Sequence, residues 1–266
     1  LLAIAGGLGL FSLADDLWDF GARAKLAVHV LAALAFAVSV ARVEVLPLGL
    51  GAEAAIGAAA GVIGTALWLL VVMNAVNFMD GANGLAPGAQ VVAFLALFLV
   101  APVEQAAVFA LAVAAFGASA GFVGWNVTGK IFQGDAGALF ASFLFGGLSV
   151  LIADAGTATP WYGGFVVLPL LVDVLWTLAA RARRGAPLLQ AHREHLYQLY
   201  LARTGMPHAA VSLIVWGLAF LSGLIGVLVQ AFAPDASLGV LVALTVLLSY
   251  GWLRGRKALN ALRTDG

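Results

Sequence analysis

The chain has 266 residues, 63% hydrophobic and 10% charged, with 13 acidic and 13 basic residues and no cysteine. A soluble domain carries roughly 25% charged residues, so this composition argues against the soluble globular class. Zero net charge argues against a nucleic-acid partner, and the lack of cysteine rules out a disulfide framework, a thiolate metal site and a thiol nucleophile.

Residues 1–14 read as the tail of a helix whose start lies upstream. The run opens on Leu1, is short for a span, and lacks the basic region and small-residue cleavage site of a signal peptide. Runs without charge follow near 26–41, 54–79, 81–103, 105–129, 136–153, 155–172, 209–234 and 236–253. About 20 apolar residues cross a bilayer core as a helix, so each run is an expected transmembrane helix. The 32 glycines suit close helix contacts in lipid. The expected fold is an all-α polytopic transmembrane helical bundle with eight full spans and a partial N-terminal one. It forms a single domain over residues 1–266 that lacks its first helices.

Alternating these spans across the membrane places the segments near 15–25, 77–86, 125–135, 181–208 and 254–266 on one side. That side holds Arg23, Lys25, Lys130, Arg181, Arg183, Arg184, Arg193, Arg203, Arg254, Arg256, Lys257 and Arg263; the other holds only Arg42. Lysine and arginine concentrate in cytoplasmic loops, so the first side is the expected cytoplasmic face.

Four polar motifs fall on that face. In "SLADDLWDFGARAKLAVH", a helix continuing past Ala14 crowds Asp15, Asp16 and Asp19 at one end. Like charges at that spacing repel and lose solvation at a membrane boundary. A divalent cation or a bound cationic group relieves both costs; a solvated acidic turn paired with Arg23 or Lys25 is the alternative. In "VVMNAVNFMDGANGLA", Asn74, Asn77 and Asp80 form a polar stripe at a helix end, and Gly81 and Gly84 permit a tight turn. Amides and a carboxylate flanked by glycines suit a nucleobase or sugar; a capped helix end is the alternative. In "WNVTGKIFQGDAGALFASF", Asp135 sits between Gly134 and Gly137 at a helix foot. It is either a Mg²⁺ ligand on exposed backbone or an N-cap. In "RARRGAPLLQAHREHLYQLY", His192, Arg193 and His195 make a compact anion-binding cluster. No carboxylate triad beside the histidines favours zinc, and Glu194 is expected to point elsewhere on a helix. Carboxylates, a divalent cation and basic residues are the parts that phosphoryl transfer needs.

In this order, the motifs resemble the polyprenyl-phosphate N-acetylhexosamine-1-phosphate transferases, glycosyltransferase family 4. The matching segments are Asp15-Asp16 with the following Arg-x-Lys-Leu, "NAVNFMDGANGLA", "IFQGDAG" and "AHREHLYQ". The last is similar to the O-antigen-initiating branch of lipopolysaccharide biosynthesis, which acts on UDP-sugars such as UDP-N-acetylfucosamine. The resemblance implies transfer of a sugar phosphate from a UDP-N-acetylhexosamine to undecaprenyl phosphate in a bacterial inner membrane, with release of UMP. It implies Mg²⁺, or Mn²⁺, on Asp135, with Asp15 and Asp16 activating or orienting the lipid phosphate. It puts Asn74, Asn77, Asp80, Gly81 and Asn83 in the nucleotide-sugar pocket and Lys25, His192, Arg193 and His195 on substrate phosphate. A homodimer is a further expectation. The chain departs from the family at Asn83, where an acid is common, at "NVTGK", where a Pro-Ala pair is common, and at Ala138, where a serine is common. A transporter, with polar groups at mid-membrane on broken helices, is the rival reading, and Asp173 is the one acid placed inside a span. A non-catalytic scaffold is the second rival.

Overall fold

A computed structural model of the chain describes residues 1–188, 190 and 192–262. Its helices are α1 (Leu2–Trp18), α2 (Ala22–Ser39), α3 (Gly57–Phe78), α4 (Leu85–Val100), α5 (Ala106–Val127), α6 (Gly134–Asp154), α7 (Tyr162–Arg183), α8 (Leu196–Thr204), α9 (His208–Phe232) and α10 (Ser237–Ala261). Seven are long and apolar enough to cross a membrane. The bundle is polytopic, as its composition requires.

The expected eighth span is α4. Its 16 residues rise only about 24 Å at 1.5 Å each, short of a bilayer core of about 30 Å. Residues 81–84 are taken by a turn, and Pro102 follows two residues after its last helical residue. The helix is largely buried, which relieves it of facing lipid along its length.

One further expectation is corrected. The span expected near 155–172 is shifted along the chain. That helix starts at Tyr162 and continues past Asp173 to Arg183, so Arg181 and Arg183 lie on the helix and not in a loop. The segment between α2 and α3 holds a hairpin, β1 (Val45–Gly49) paired antiparallel with β2 (Ala52–Ala55). Gly49, Leu50 and Gly51 all adopt positive φ at its tip, a conformation glycine enters freely.

The core has two main parts. One joins α3, α4, α6, α7 and α9 around Phe94, Phe145, Leu148 and Tyr162. The other joins α1, α2, α3 and α6 around Phe36, Leu69 and Phe143. Helices α3 and α6 belong to both and so join the two parts. The α1–α2, α3–α4, α5–α6 and α7–α9 connections gather at one end. The hairpin and the remaining connections gather at the other, as alternating the spans requires. The basic residue Arg263 lies outside the described residues.

Candidate active site

Three carboxylates meet at the end that holds nearly all the basic residues. Helix α1 stops at Trp18, and Asp19 turns into the left-handed region (φ 49°) with its N–H donating to Asp15 O at 2.8 Å. Asp19 therefore leaves the group expected from the sequence. Its place is taken by Asp135 in the first turn of α6: one oxygen each from Asp15, Asp16 and Asp135 lie within 4.8 Å of one another. Gly134, at φ 63°, makes the bend that brings the foot of α6 beside Asp16.

Asp15 is buried. One oxygen accepts the Phe20 N–H at 3.0 Å and the other pairs with Lys25. The Lys25 ammonium is also 3.7 Å from Asp135. One lysine among three carboxylates leaves about two negative charges in excess, and repulsion at this range is costly away from bulk water. Hard oxygen donors in this number suit Mg²⁺ or Mn²⁺, which take a few carboxylates and retain waters. The donor set thus fits a divalent cation, and it enlists Asp15 and Asp16 beside Asp135. Lys25, expected on substrate phosphate, is committed here to the acids.

A cleft of about 270 Å³ opens beside this cluster, lined by Asn77, Asp80, Gly81, Asn83, Asn126 and Asp135, with Phe132 and Gln133 on the same wall. Burial, together with the charge on Asp135, raises Asp80 to about 7. Asn74 lies one turn deeper and does not line this cleft. Its amide donates to Leu70 O at 2.8 Å, and its oxygen meets His29 Nδ1 at 3.3 Å. The stripe is therefore divided: Asn77 and Asp80 reach the cleft, and Asn74 ties α3 to α2.

The cleft also holds two residues that sequence reasoning passed over. Buried Asn126 accepts the Gly84 N–H at 2.6 Å and donates to Ile131 O at 2.9 Å, fixing the α3–α4 and α5–α6 turns to each other. An amide at the end of an apolar run was its signal, the same one that marks Asn77. Phe132 lines the cleft yet is 76% exposed. An open aromatic face of this kind stacks on a nucleobase.

The histidine loop is built otherwise. Residues 192–194 are not helical; α8 begins at Leu196, one residue after His195. Asp173, on α7, accepts the Leu196 N–H at 2.8 Å, the Tyr197 N–H at 3.3 Å and Trp252 Nε1–H at 3.0 Å. The mid-span acid is thus the anchor of the next helix. Glu194 lies in the loop and not on a helix, and its carboxylate goes to arginines rather than to the histidines. It receives Arg181 and Arg184, and Arg256 donates to its carbonyl at 3.1 Å. This clamps the loop between α7 and α10.

His195 is 2% exposed and stacks near Phe78 and Tyr197. Burial drives its pKa down against the opposing Asp173 charge, so its imidazole is neutral at pH 7. Its Nδ1 is 3.9 Å from Asp173, too far for a hydrogen bond. The expected cationic cluster of His192, Arg193 and His195 is therefore reduced to Arg193, because desolvation also lowers His192. None of these three lines the cleft. The loop backs the cleft at Gly81 through buried Tyr197, whose hydroxyl donates to Phe78 O at 3.2 Å. A Cβ at Gly81 would overlap that hydroxyl, so the two motifs fit only with glycine there.

The sequence model of "Glycosyl transferase family 4" matches residues 1–153, more than half the chain. Among curated proteins, the chain is 23% identical over 192 residues to the "Probable undecaprenyl-phosphate N-acetylglucosaminyl 1-phosphate transferase" of Bacillus subtilis, covering 69% of this chain and 52% of the relative. It is 28% identical over 244 residues to the phospho-N-acetylmuramoyl-pentapeptide-transferase of Desulforamulus reducens, with coverages of 86% and 72%. The decaprenyl-phosphate N-acetylglucosaminephosphotransferase of Mycolicibacterium smegmatis is likewise 28% identical over 244 residues, with coverages of 81% and 59%. The chain thus spans between about half and three quarters of these relatives' lengths.

Proposed function

Because the chain belongs to glycosyl transferase family 4, we propose that it transfers an N-acetylhexosamine-1-phosphate group from a UDP-sugar to undecaprenyl phosphate. UMP leaves, and an undecaprenyl-diphospho-sugar remains in the membrane to initiate a cell-envelope glycan. The observation that carries this reading is the convergence of Asp15, Asp16 and Asp135 beside the cleft of Asn77, Asp80 and Asn83, at one end of a transmembrane bundle. A membrane-borne acceptor and a soluble donor meet only at such a boundary.

In this reading Asp15, Asp16 and Asp135 hold Mg²⁺ or Mn²⁺, which supplies charge neutralisation to the diphosphate. Asp15, held by Phe20 N–H and Lys25, orients the acceptor phosphate. Lys25 moves between the carboxylates and the arriving phosphate, keeping the local charge near balance. Asn77, Asp80 and Asn83 bind sugar and ribose hydroxyls, and Phe132 stacks on the uracil. His195, buried and outside the cleft, keeps its place in this reading by packing Phe78 and Tyr197 against the cleft wall, and exposed Arg193 beside it supplies charge toward the phosphate. The twelve-to-one distribution of basic residues supports a cytoplasmic site in a bacterial inner membrane. The HREHLYQ segment supports an O-antigen-type donor such as UDP-N-acetylfucosamine, and homodimerisation is part of the same reading.

The test is UMP release by the purified protein in liposomes, with undecaprenyl phosphate and a panel of UDP-N-acetylhexosamines. Release that needs both the lipid phosphate and a divalent cation supports the proposal. Failure of every donor, with the protein folded, would refute it.

A further inference from the structure

At the opposite end of the bundle, an apolar crevice of about 420 Å³ lies between α3, α6, α7, α10 and the hairpin. Its volume is within the roughly 300–1,000 Å³ typical of ligand sites. Its few polar groups are already satisfied. Trp68 Nε1–H is shared between Gly146 O at 3.3 Å and Ser149 Oγ at 3.1 Å, and Thr65 Oγ1 accepts the Val43 N–H at 3.1 Å. Water entering the crevice would find little to bond, and apolar cavities of this kind stay dry. The crevice therefore fits a hydrocarbon chain.

Directly beside it is a cup of about 550 Å³ that shares Val43, Ala153 and Pro160 with the crevice. Arg42, Glu44 and Asp154 line the cup. Arg42 Nε donates to Glu44 at 2.7 Å, which leaves its other N–H groups for a second acceptor. Asp154 is exposed and has no cation within ion-pairing distance among the described residues. Among the described residues Arg42 is the one basic residue at this end of the bundle, and against Glu44 and Asp154 it leaves the cup one negative charge in excess. The wall is held in place, because Trp161 Nε1–H donates to Pro47 O in β1 at 2.6 Å.

We propose that the crevice and the cup form one binding site for a zwitterionic phospholipid with a primary ammonium headgroup, its acyl chain between α3 and α7 and its headgroup among Arg42, Glu44 and Asp154. The phosphate meets Arg42, and the ammonium donates to Asp154 and Glu44. An anionic glycerol headgroup brings phosphate to the same arginine but offers no cation to the acids, and its net charge adds to theirs. A choline headgroup brings a cation without N–H donors. The charge pattern thus selects the ethanolamine class, in the leaflet remote from the carboxylate cluster. The site serves to wedge a lipid between the hairpin and the spans behind it, and it stands independently of the reaction proposed above.

The experiment is native mass spectrometry of the full chain, offered phosphatidylethanolamine and phosphatidylglycerol with matched acyl chains in equal amounts. The unmodified protein should retain one phosphatidylethanolamine with a preference of roughly tenfold. Asp154→Asn should bring that preference down to about twofold or less. Gly64→Leu should cut retention of both lipids, since Gly64 lines the crevice and a Cβ there meets nothing within 4 Å, so the added side chain has room to occupy the lipid's space. Equal retention of the two lipids by the unmodified protein, a preference for phosphatidylglycerol, or unchanged occupancy in Gly64→Leu would each overturn the proposal. Should Gly64→Leu fail to fold, the headgroup preference and its loss in Asp154→Asn, at an exposed position, still decide the matter.

Discussion

Asp15, Asp16 and Asp135 face one another with one lysine between them, whereas His195, at the same end of the bundle, sits buried in a loop whose backbone is held by Asp173 and whose neighbour Glu194 is held by three arginines. The first region concentrates like charge and leaves it unbalanced. The second pairs its acids with arginines and N–H groups and desolvates its histidine. The carboxylate cluster keeps an excess of negative charge whose repulsion a cation would offset. The loop is finished before any ligand arrives and serves as a rigid wall. Substitutions in the first region should therefore change chemistry and spare stability, and substitutions behind the second should cost both activity and stability.

The largest expected effect is at Asp135. Asp135→Asn removes one negative ligand from the cluster at a partly exposed position. UMP release should fall by about 10²–10³-fold, the usual cost of losing a preorganised electrostatic group, while the melting temperature stays or rises. Activity near normal at limiting Mg²⁺ would place the chemistry elsewhere.

Asp173→Ala comes next and breaks the comparison from the other side. It strips the acceptor from two backbone N–H groups and from Trp252, and each buried donor left unpaired costs about 1–3 kcal/mol. Thermal melting should drop by several degrees. Activity should fall up to about 10²-fold through displacement of the loop, although Asp173 touches no substrate. An unchanged melting temperature would show that the anchor is dispensable.

Smaller effects separate the cleft from the loop. Asp80→Ala should raise KM for the UDP-sugar, because the contact exists in ground and transition states alike. His195→Ala should lower kcat by about three- to tenfold, because it loosens the Phe78 and Tyr197 packing behind the cleft and removes no substrate contact. Asn74→Ala should alter KM less than Asn77→Ala, since only Asn77 lines the cleft. Asp80 also sets a pH dependence. Its pKa is raised to about 7, so the folded chain holds this proton more tightly than the unfolded chain. That stability is complete below the ordinary carboxylate value and is lost as pH rises through about 7. Asp80→Asn should flatten the decline in melting temperature between about pH 5 and pH 8. A decline that survives the substitution would assign it to another group.

Much of this was legible in the sequence because apolar runs declare spans and glycine-flanked polar residues declare turns. The alternating threading groups the loops as the structure does, and Asn77, Asp80, Gly81, Asn83 and Asp135 meet in one cleft. The misreadings have specific physical causes. Asp173 ended a charge-free run and so displaced the seventh helix by about half its length; its carboxylate is tolerated there because backbone N–H groups from α8 and the Trp252 indole solvate it. Asp19 looks like a member of the cluster at helical spacing, yet the left-handed turn at that residue ends the periodicity. The third carboxylate comes from over a hundred residues away, which no local pattern encodes. The histidines looked cationic because burial is a property of the fold, not of the HREH motif.

The central claim is that Asp15, Asp16 and Asp135 together make one divalent-cation site. Electron paramagnetic resonance of Mn²⁺ with the purified chain, in the absence of substrates, tests it most directly. The account predicts about one bound Mn²⁺ per chain, displaced by Mg²⁺, with affinity reduced roughly tenfold or more in Asp16→Asn and in Asp135→Asn alike. Mn²⁺ binding that is unaffected by Asp16→Asn, or absent from the unmodified protein, would contradict it.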